Sequence, residues 1–145
     1  MGILNELAAA MPDRRFIVAG SGRDLRAAPN VENRGQLQPA DVCKLFQGAS
    51  VVICPSTYCE PFGLAAVEAG LCGARVVASR KGAFLETLPP GSLVGGDSVS
   101  DWVCEIWHED DGDRAARRAH HVARHSPEAV GMRYAELLDR LATSK

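Results

Sequence analysis

Two glutamates, Glu60 and Glu68, stand eight residues apart in a segment that reads EPFGLAAVEAG. A helix beginning near Phe62–Gly63 would present free N–H groups, and the positive end of its dipole would favour an ionised carboxylate or a phosphate. Glu68 falls about one and a half turns into that helix, among alanine and valine, where an acid is costly unless a polar group or ligand hydroxyl pairs with it. By themselves the two acids are weak evidence. A solvated loop acid and a helix acid with a structural partner are the simpler interpretation.

The segments around the two acids alternate between short apolar runs and helical patterns. The runs RRFIVAGSG, SVVICPS and ARVVAS predict buried strands, and NVENRG and GSLVGG predict weaker ones. The segments ILNELAAAM, PADVCKLFQGA and FGLAAVEAGLCG predict helices, the last capped by Gly73 in a left-handed conformation. From about Asp97 onward the pattern is helical, and Ser126 is placed to cap the last helix. We therefore expect one α/β domain over residues 1–145, a mostly parallel sheet covered by helices, with a helical tail over about 97–145.

Ligands of open α/β sheets bind beyond the carboxyl ends of the strands. Three segments fall at that edge: AGSG, GQLQ and CPSTYCEPFG, of which the last carries the two-acid motif. The first segment also suggests a dinucleotide fingerprint. However, Leu25 stands where the third glycine would be required after Gly20 and Gly22, so this alternative has little support.

Composition excludes several other classes. The net charge of −2 offers no basic field for nucleic acid, and no stretch approaches the length of a transmembrane span. The N-terminus lacks the basic region of a signal peptide, and five cysteines without a CxxC pair indicate free core thiols in a reducing cytoplasm. His120, His121 and His125 include a pair at helical spacing, but the surrounding arginines would repel a metal cation, so we interpret this stretch as a solvated basic face without a metal site.

Taken in order, FIVAGSG, VENRGQLQPADVCKLFQGASVVICPS, EPFGLAAVEAGLCGARVVAS and the tail from Ser126 resemble the donor-binding domain of retaining GT-B glycosyltransferases, the group that includes glycogen synthases and bacterial mannosyltransferases. The spacing of Glu60 and Glu68 becomes specific because it lies between the two apolar strands. The resemblance implies a Rossmann-like domain, one half of a GT-B fold. It also implies transfer of a sugar, with retention and without a required metal or other cofactor, from a UDP-, GDP- or ADP-sugar donor.

The resemblance also implies roles for individual residues. Glu60 would contact the transferred sugar near the reacting centre, and Glu68 would accept hydrogen bonds from the ribose hydroxyls. The other donor-binding positions would act mainly through the backbone, with Phe62, Gly63 and Leu64 at the sugar and distal phosphate, Gly20 and Gly22 on the phosphate side, and Gln36 and Leu37 at the base. An epimerase of similar architecture is an alternative, which the two-glutamate spacing disfavours.

The sequence departs from the family pattern in two places. Family members carry a strand ending in Gly-Arg and a loop with Lys before the helix that GILNELAAAM resembles, and the two cations neutralise the donor diphosphate. That strand, which would lie between the FIVAG and VVICP strands, is absent here, as is the N-terminal acceptor domain. Lys81 stands where the family has the first of two glycines, and it or Arg80 could offer substitute charge.

These departures keep two hypotheses open. The chain is either the donor-binding part of a split or truncated transferase, inactive alone, or a non-catalytic binding module derived from the same fold. In both cases a separate acceptor-domain chain or a homodimer could complete it.

Overall fold

The computed structural model describes residues 3–20, 28–108 and 112–143. Within these ranges the chain alternates strands and helices as far as residue 94 and is helical from residue 99 onward. The strands are β1 (Phe16–Val18), β2 (Val31–Asn33), β3 (Val52–Cys54), β4 (Val76–Ser79) and β5 (Leu93–Val94). The helices are α1 (Ile3–Ala10), α2 (Pro39–Gly48), α3 (Leu64–Leu71), α4 (Phe84–Thr87), α5 (Val99–Trp107), α6 (Arg114–His125) and α7 (Pro127–Thr143). A short 3-10 turn, Pro90–Ser92, precedes β5.

All described strand pairs are parallel, but they form two sheets. β1 pairs with β2, with Ile17 opposite Glu32, and β3, β4 and β5 form the second sheet in that order. No ladder joins β1 to β3 among the residues described. β1 and β3 therefore do not pair directly in the described structure, and the resemblance places a further strand between them.

Helices cover both faces of the three-stranded sheet. On one face Val76 and Ala78 pack with residues of α3 and α4, including Ala66 and Phe84. On the other face Val77, which is fully buried, packs with Leu7 of α1 and with Val94 and Trp102. Two covered faces explain why the first three residues of β4 are apolar without alternation and why all four of its residues are buried.

Local sequence signals mark three of the helix ends. Pro39 occupies the first turn of α2, Gly73 follows α3 with φ of 78°, and the Ser126 hydroxyl accepts a hydrogen bond from the Ala129 amide at 3.2 Å. These three features were predicted and are confirmed. No helix in the described ranges is long and apolar enough to cross a membrane.

Candidate functional site

The loop after β3 holds Glu60 from two sides. The Ser56 hydroxyl donates to Glu60 Oε1 at 2.5 Å, and the Ala83 amide donates to the Glu60 carbonyl at 2.8 Å. Gly82, with φ of 58°, allows that second approach, since a Cβ on it would lie 2.4 Å from the Glu60 nitrogen. The position of Glu60 therefore depends on the segment after β4 as well as on its own loop.

Glu60 also changes the protonation of its neighbours. Its hydrogen bond and its charge raise the pKa of the exposed Tyr58 phenol. Burial, with a smaller contribution from the Glu60 charge, raises the pKa of the Cys54 thiol to about 11. Both neighbours therefore remain protonated at neutral pH.

Gly63 fixes where α3 begins. Its φ of 80° and ψ of 48° are left-handed, and a Cβ there would lie 2.3 Å from the Phe84 ring. Side chains other than glycine are disfavoured by both the backbone conformation and the packing. Close contact with Phe84 thus orients the start of α3 toward the end of β3.

A cleft of about 410 Å³ lies at this helix start, lined by residues 53–58, Glu60, residues 63–66 and Phe84; we call it the first cleft. Ala66 and Val67 direct their N–H groups back to the Gly63 carbonyl. The amides of Leu64 and Ala65 donate no hydrogen bond within the described part of the chain. The first cleft therefore combines a carboxylate with a helix N-terminus that has unused donors.

A second cleft, also of about 410 Å³, separates α2 from α3. It is lined by Leu37, Pro39, Val42, Cys43, Phe46, Glu68, Leu71 and Cys72. Glu68 is exposed, so the expectation of a costly acid among apolar residues is wrong. Glu68 sits on the outer face of α3, where its carboxylate faces the second cleft.

The structure brings only some of the predicted donor-site residues together. Glu60, Gly63 and Leu64 line the first cleft, and Leu37 and Glu68 line the second, so α3 separates the two glutamates.

The remaining predicted positions line neither cleft. Phe62 is half exposed, with its ring edge-on to His125 at 6.1 Å. Gln36 is exposed, and Gly20, with φ of 134°, donates from its amide to the Gly35 carbonyl at 2.8 Å. Gly22 lies outside the described residues.

Sequence reasoning missed Ser56, Gly82 and Phe84 as supports of the site. Gly82 had a readable signal, because it is the second glycine of the family pattern at SRKGAFLE. Lys81, considered as a substitute cation, instead pairs with Asp97 at 3.0 Å. Its ammonium is directed to that acid.

The interpretation of the histidine stretch as a solvated face is wrong for two of its three members. His121 is 4% exposed and packs on Gly70 of α3, and the half-buried His125 lies 3.1 Å from the Thr87 carbonyl. Burial, with smaller electrostatic contributions from His120, His125 and Arg124, lowers the pKa of His121 to about 4. Only His120 remains exposed, and the described residues contain no cluster of side chains able to hold a metal. α6 is thus a docked helix that supports α3.

A family model described as Glycosyl transferases group 1 matches residues 3–108, most of the chain. The chain belongs to this family. The match includes the loop that holds Glu60, the whole of α3 and both clefts, and it confirms the family inferred from the two-glutamate motif.

Curated relatives in the group 1 family include D-inositol 3-phosphate glycosyltransferases. That of Mycobacterium sp. (strain KMS) is 37% identical, with 72% of this chain and 28% of the relative covered. That of Corynebacterium kroppenstedtii is 35% identical, with 72% and 24% covered. The chain thus spans about a quarter of the length of these relatives.

Solved structures confirm the fold class. Anabaena HepE in complex with UDP and glucose superposes with a TM-score of 0.72 at 22% identity, over 94% of this chain and 44% of that one. The same protein in complex with UDP gives a TM-score of 0.64 at 19% identity, over 97% and 56%. This chain therefore has the Rossmann-like fold of one half of a GT-B structure.

Proposed function

We propose that this chain is the donor-binding part of a retaining glycosyltransferase and takes a nucleoside diphosphate sugar across the start of α3. The observation that carries the proposal is the first cleft. There the Glu60 carboxylate, held by Ser56, faces a helix N-terminus whose Leu64 and Ala65 amides are unused within the described residues. A helix N-terminus favours phosphate, and a fixed carboxylate beside it suits a sugar hydroxyl or a developing positive charge.

The two clefts divide the donor between them in this proposal. Glu60 takes the sugar, while Gly63, Leu64 and the Phe62 backbone hold the distal phosphate at the start of α3. Glu68 takes the ribose in the second cleft, which Leu37 also lines. Its apolar walls, Val42 and Phe46 among them, suit a nucleobase face.

The predicted positions outside the clefts complete the site. Gln36 lies next to Leu37 and would offer its backbone to the base, and Gly20 and Gly22 would approach the phosphates from the end of β1. UDP is the first nucleotide to test, because the Anabaena structures contain UDP or UDP-glucose. GDP and ADP remain within the proposal.

In the proposed reaction the leaving group is the nucleoside diphosphate. Helix N–H groups aimed at the distal phosphate stabilise the charge that develops there as the bond to the sugar breaks. The step needs no metal in this proposal. An inositol phosphate is a candidate acceptor for the complete protein, by analogy with the names of the curated relatives.

The split sheet supports the proposal that the chain acts as part of a larger assembly. β1 and β3 each lack a partner on one side in the described structure, and the unpaired edge of a strand is a site for pairing with another segment. The chain also covers 28% of a curated relative, so the relatives contain much more polypeptide. We expect the rest of such a protein, a separate acceptor-domain chain or a second copy to complete the sheet and the catalytic cleft. The purified chain alone should not transfer sugar, and turnover by it would contradict this proposal.

Titration calorimetry tests the division of the donor between the clefts. Glu60→Gln should weaken UDP-glucose binding much more than UDP binding, because only the sugar contacts Glu60. Glu68→Gln should weaken both ligands alike. Each lost charged hydrogen bond is worth about 1.5–3 kcal/mol, or about tenfold or more in affinity.

Glu86→Gln is the matched control, since Glu86 is an exposed α4 acid that lines neither cleft. Binding of UDP, GDP and ADP that stays undetectable at about millimolar ligand would favour the non-catalytic module over the donor site. Equal binding of UDP-glucose by wild type and Glu60→Gln would remove Glu60 from the sugar site.

A further inference from the structure

Two cysteines from different helices meet at the second cleft. Cys43 of α2 and Cys72, which caps α3, place their sulfur atoms 3.2 Å apart. Both are half-buried and both line the cleft, and all five cysteines are free thiols in this structure. We call this pair the cleft dithiol.

We propose that the cleft dithiol is a redox-modification site at which Cys43 and Cys72 form a reversible disulfide that ties α2 to α3. The sulfur atoms are already in contact, and a disulfide of about 2.05 Å requires them to approach by little more than about 1 Å. Because both cysteines are only half-buried and line the second cleft, a small oxidant can reach their sulfur atoms from the cleft. The bond would join two helices that otherwise flank an open space.

The oxidant in this proposal is a low-molecular-weight disulfide such as oxidised glutathione. Cys43 loses its proton to solvent and its sulfur attacks one sulfur of the oxidant, which releases one thiol and leaves a mixed disulfide on Cys43. Cys72 then loses its proton, attacks the Cys43 sulfur and releases the second thiol. Two protein thiols and one disulfide become one protein disulfide and two small thiols.

The surroundings of Cys72 favour its protonated form. Burial, then the hydrogen bond and charge of Cys43 and the charge of Glu68, raise the pKa of Cys72 to about 11, against a smaller opposing influence of Arg118. Cys72 is thus protonated at neutral pH, and the thiolate is the nucleophile in disulfide exchange. The raised pKa of Cys72 slows attack by its sulfur, so the proposed exchange is written with Cys43 attacking first.

A disulfide here would act on nucleotide binding, an extension that rests on the proposed function. Glu68 and Leu37 line the same cleft as the two sulfur atoms. Drawing α2 toward α3 narrows the space assigned to the ribose and base. Oxidation should therefore weaken UDP binding, and reduction should restore it.

Peptide mapping of the full chain tests the disulfide without reference to nucleotide. After incubation with oxidised glutathione, alkylation of the remaining thiols and trypsin digestion, residues 35–44 should be cross-linked to residues 45–75. The second peptide also contains Cys54 and Cys59, so variants must identify the partner. Cys72→Ser should abolish the cross-link, and Cys59→Ser, which removes an exposed thiol, should leave it unchanged.

Two results would contradict the proposal that Cys43 and Cys72 form a disulfide. One is a cross-link that survives in Cys72→Ser. The other is glutathione addition at the exposed Cys59 and Cys104 while Cys43 and Cys72 stay uncoupled.

Calorimetry with UDP separates this proposal from the proposed function. If the reduced chain binds UDP, the oxidised wild type should bind it several-fold more weakly. Cys43→Ser, which lacks the thiol that takes up glutathione, should have the same UDP affinity before and after the same oxidation. Equal UDP affinity of the reduced and oxidised wild type would reject control of the cleft by the dithiol. If the reduced chain binds no nucleotide, the donor site fails, and the peptide map still decides whether the disulfide forms.

Discussion

The two sheets of this chain differ in how completely they are packed. In the three-stranded sheet every residue of β4 is buried, and helices cover both faces. In the two-stranded sheet the central residue of β1, Ile17, is 39% exposed, and β1 pairs only with β2 in the described structure. The three-stranded sheet is therefore fully packed within this chain, whereas the two-stranded sheet can still pair with another segment.

The candidate site is distributed across the same boundary. Glu60 and Gly63 belong to the well-packed half, where loops after β3 and β4 and the Phe84 ring fix them. Gly20 and Gln36 follow the strands of the open half and are exposed. In the proposed donor site, the positions of Glu60 and of the start of α3 are therefore fixed by packing in this chain, whereas those of Gly20 and Gln36 depend more on what completes the sheet.

Exchanging one glycine for alanine in each half tests the contrast most strongly. Gly63→Ala should cost about 2–5 kcal/mol of unfolding free energy, because left-handed backbone strain adds to a clash with Phe84. Gly35→Ala has similar strain, with φ of 60°, but no atom lies near its added Cβ, so about 1–2 kcal/mol is expected. Urea denaturation of the two variants measures both losses. Equal losses would mean that packing does not distinguish the halves at these positions.

The docking of α6 on the well-packed half should appear in the pH dependence of stability. His121 has a pKa of about 4 in the folded chain, against 6.5 as its ordinary value, so the unfolded chain binds more protons between these values. Stability should therefore be unaffected by this group above pH 6.5 and fall as the pH drops toward 4. The shift corresponds to at most about 3 kcal/mol. Denaturation midpoints measured across that pH range give the slope.

His121→Gln should reduce the slope of unfolding stability against pH. The control is His120→Gln, which changes the exposed neighbouring histidine. His120, His125 and Arg124 face His121, and all three lower its pKa in the same direction as burial. His120→Gln should therefore remove only a small part of the slope. A slope that His121→Gln leaves intact would assign the pH dependence to other groups.

The sequence predicted the structural features that depend on neighbouring residues. Pro39 at a helix start, Gly73 after a helix and Ser126 as a cap each act within one turn, and the structure has all three. The alternation of apolar runs and helical patterns likewise gave the parallel strands. Glu60 and Glu68 were found as candidates because their spacing lies between two recognisable strands, and their roles remain proposals.

What could not be predicted depends on contacts between distant segments. The Phe84 ring meets Gly63 although the sequence shows no such proximity. The family pattern marks Gly82 as a glycine, but it does not show that the Gly82 backbone meets Glu60. His121 lies among arginines in a polar stretch, yet it packs on Gly70 of α3 and is buried. A sequence pattern records polarity, whereas the facing helix decides burial.

A pair of helical glycines provides the smallest test of the contrast. In Gly70→Ala the new Cβ would lie 2.2 Å from His121 Nε2, so α6 or the ring must shift, at a cost of about 1–3 kcal/mol. Gly131→Ala, in exposed α7 with nothing near its Cβ, should stabilise the chain by up to about 1 kcal/mol through helix propensity alone. Thermal or urea unfolding should thus shift in opposite directions for the same substitution. If Gly70→Ala were also stabilising, α6 would be too loosely held to count as part of the packed half, and the boundary between the two regions would have to be drawn at α3.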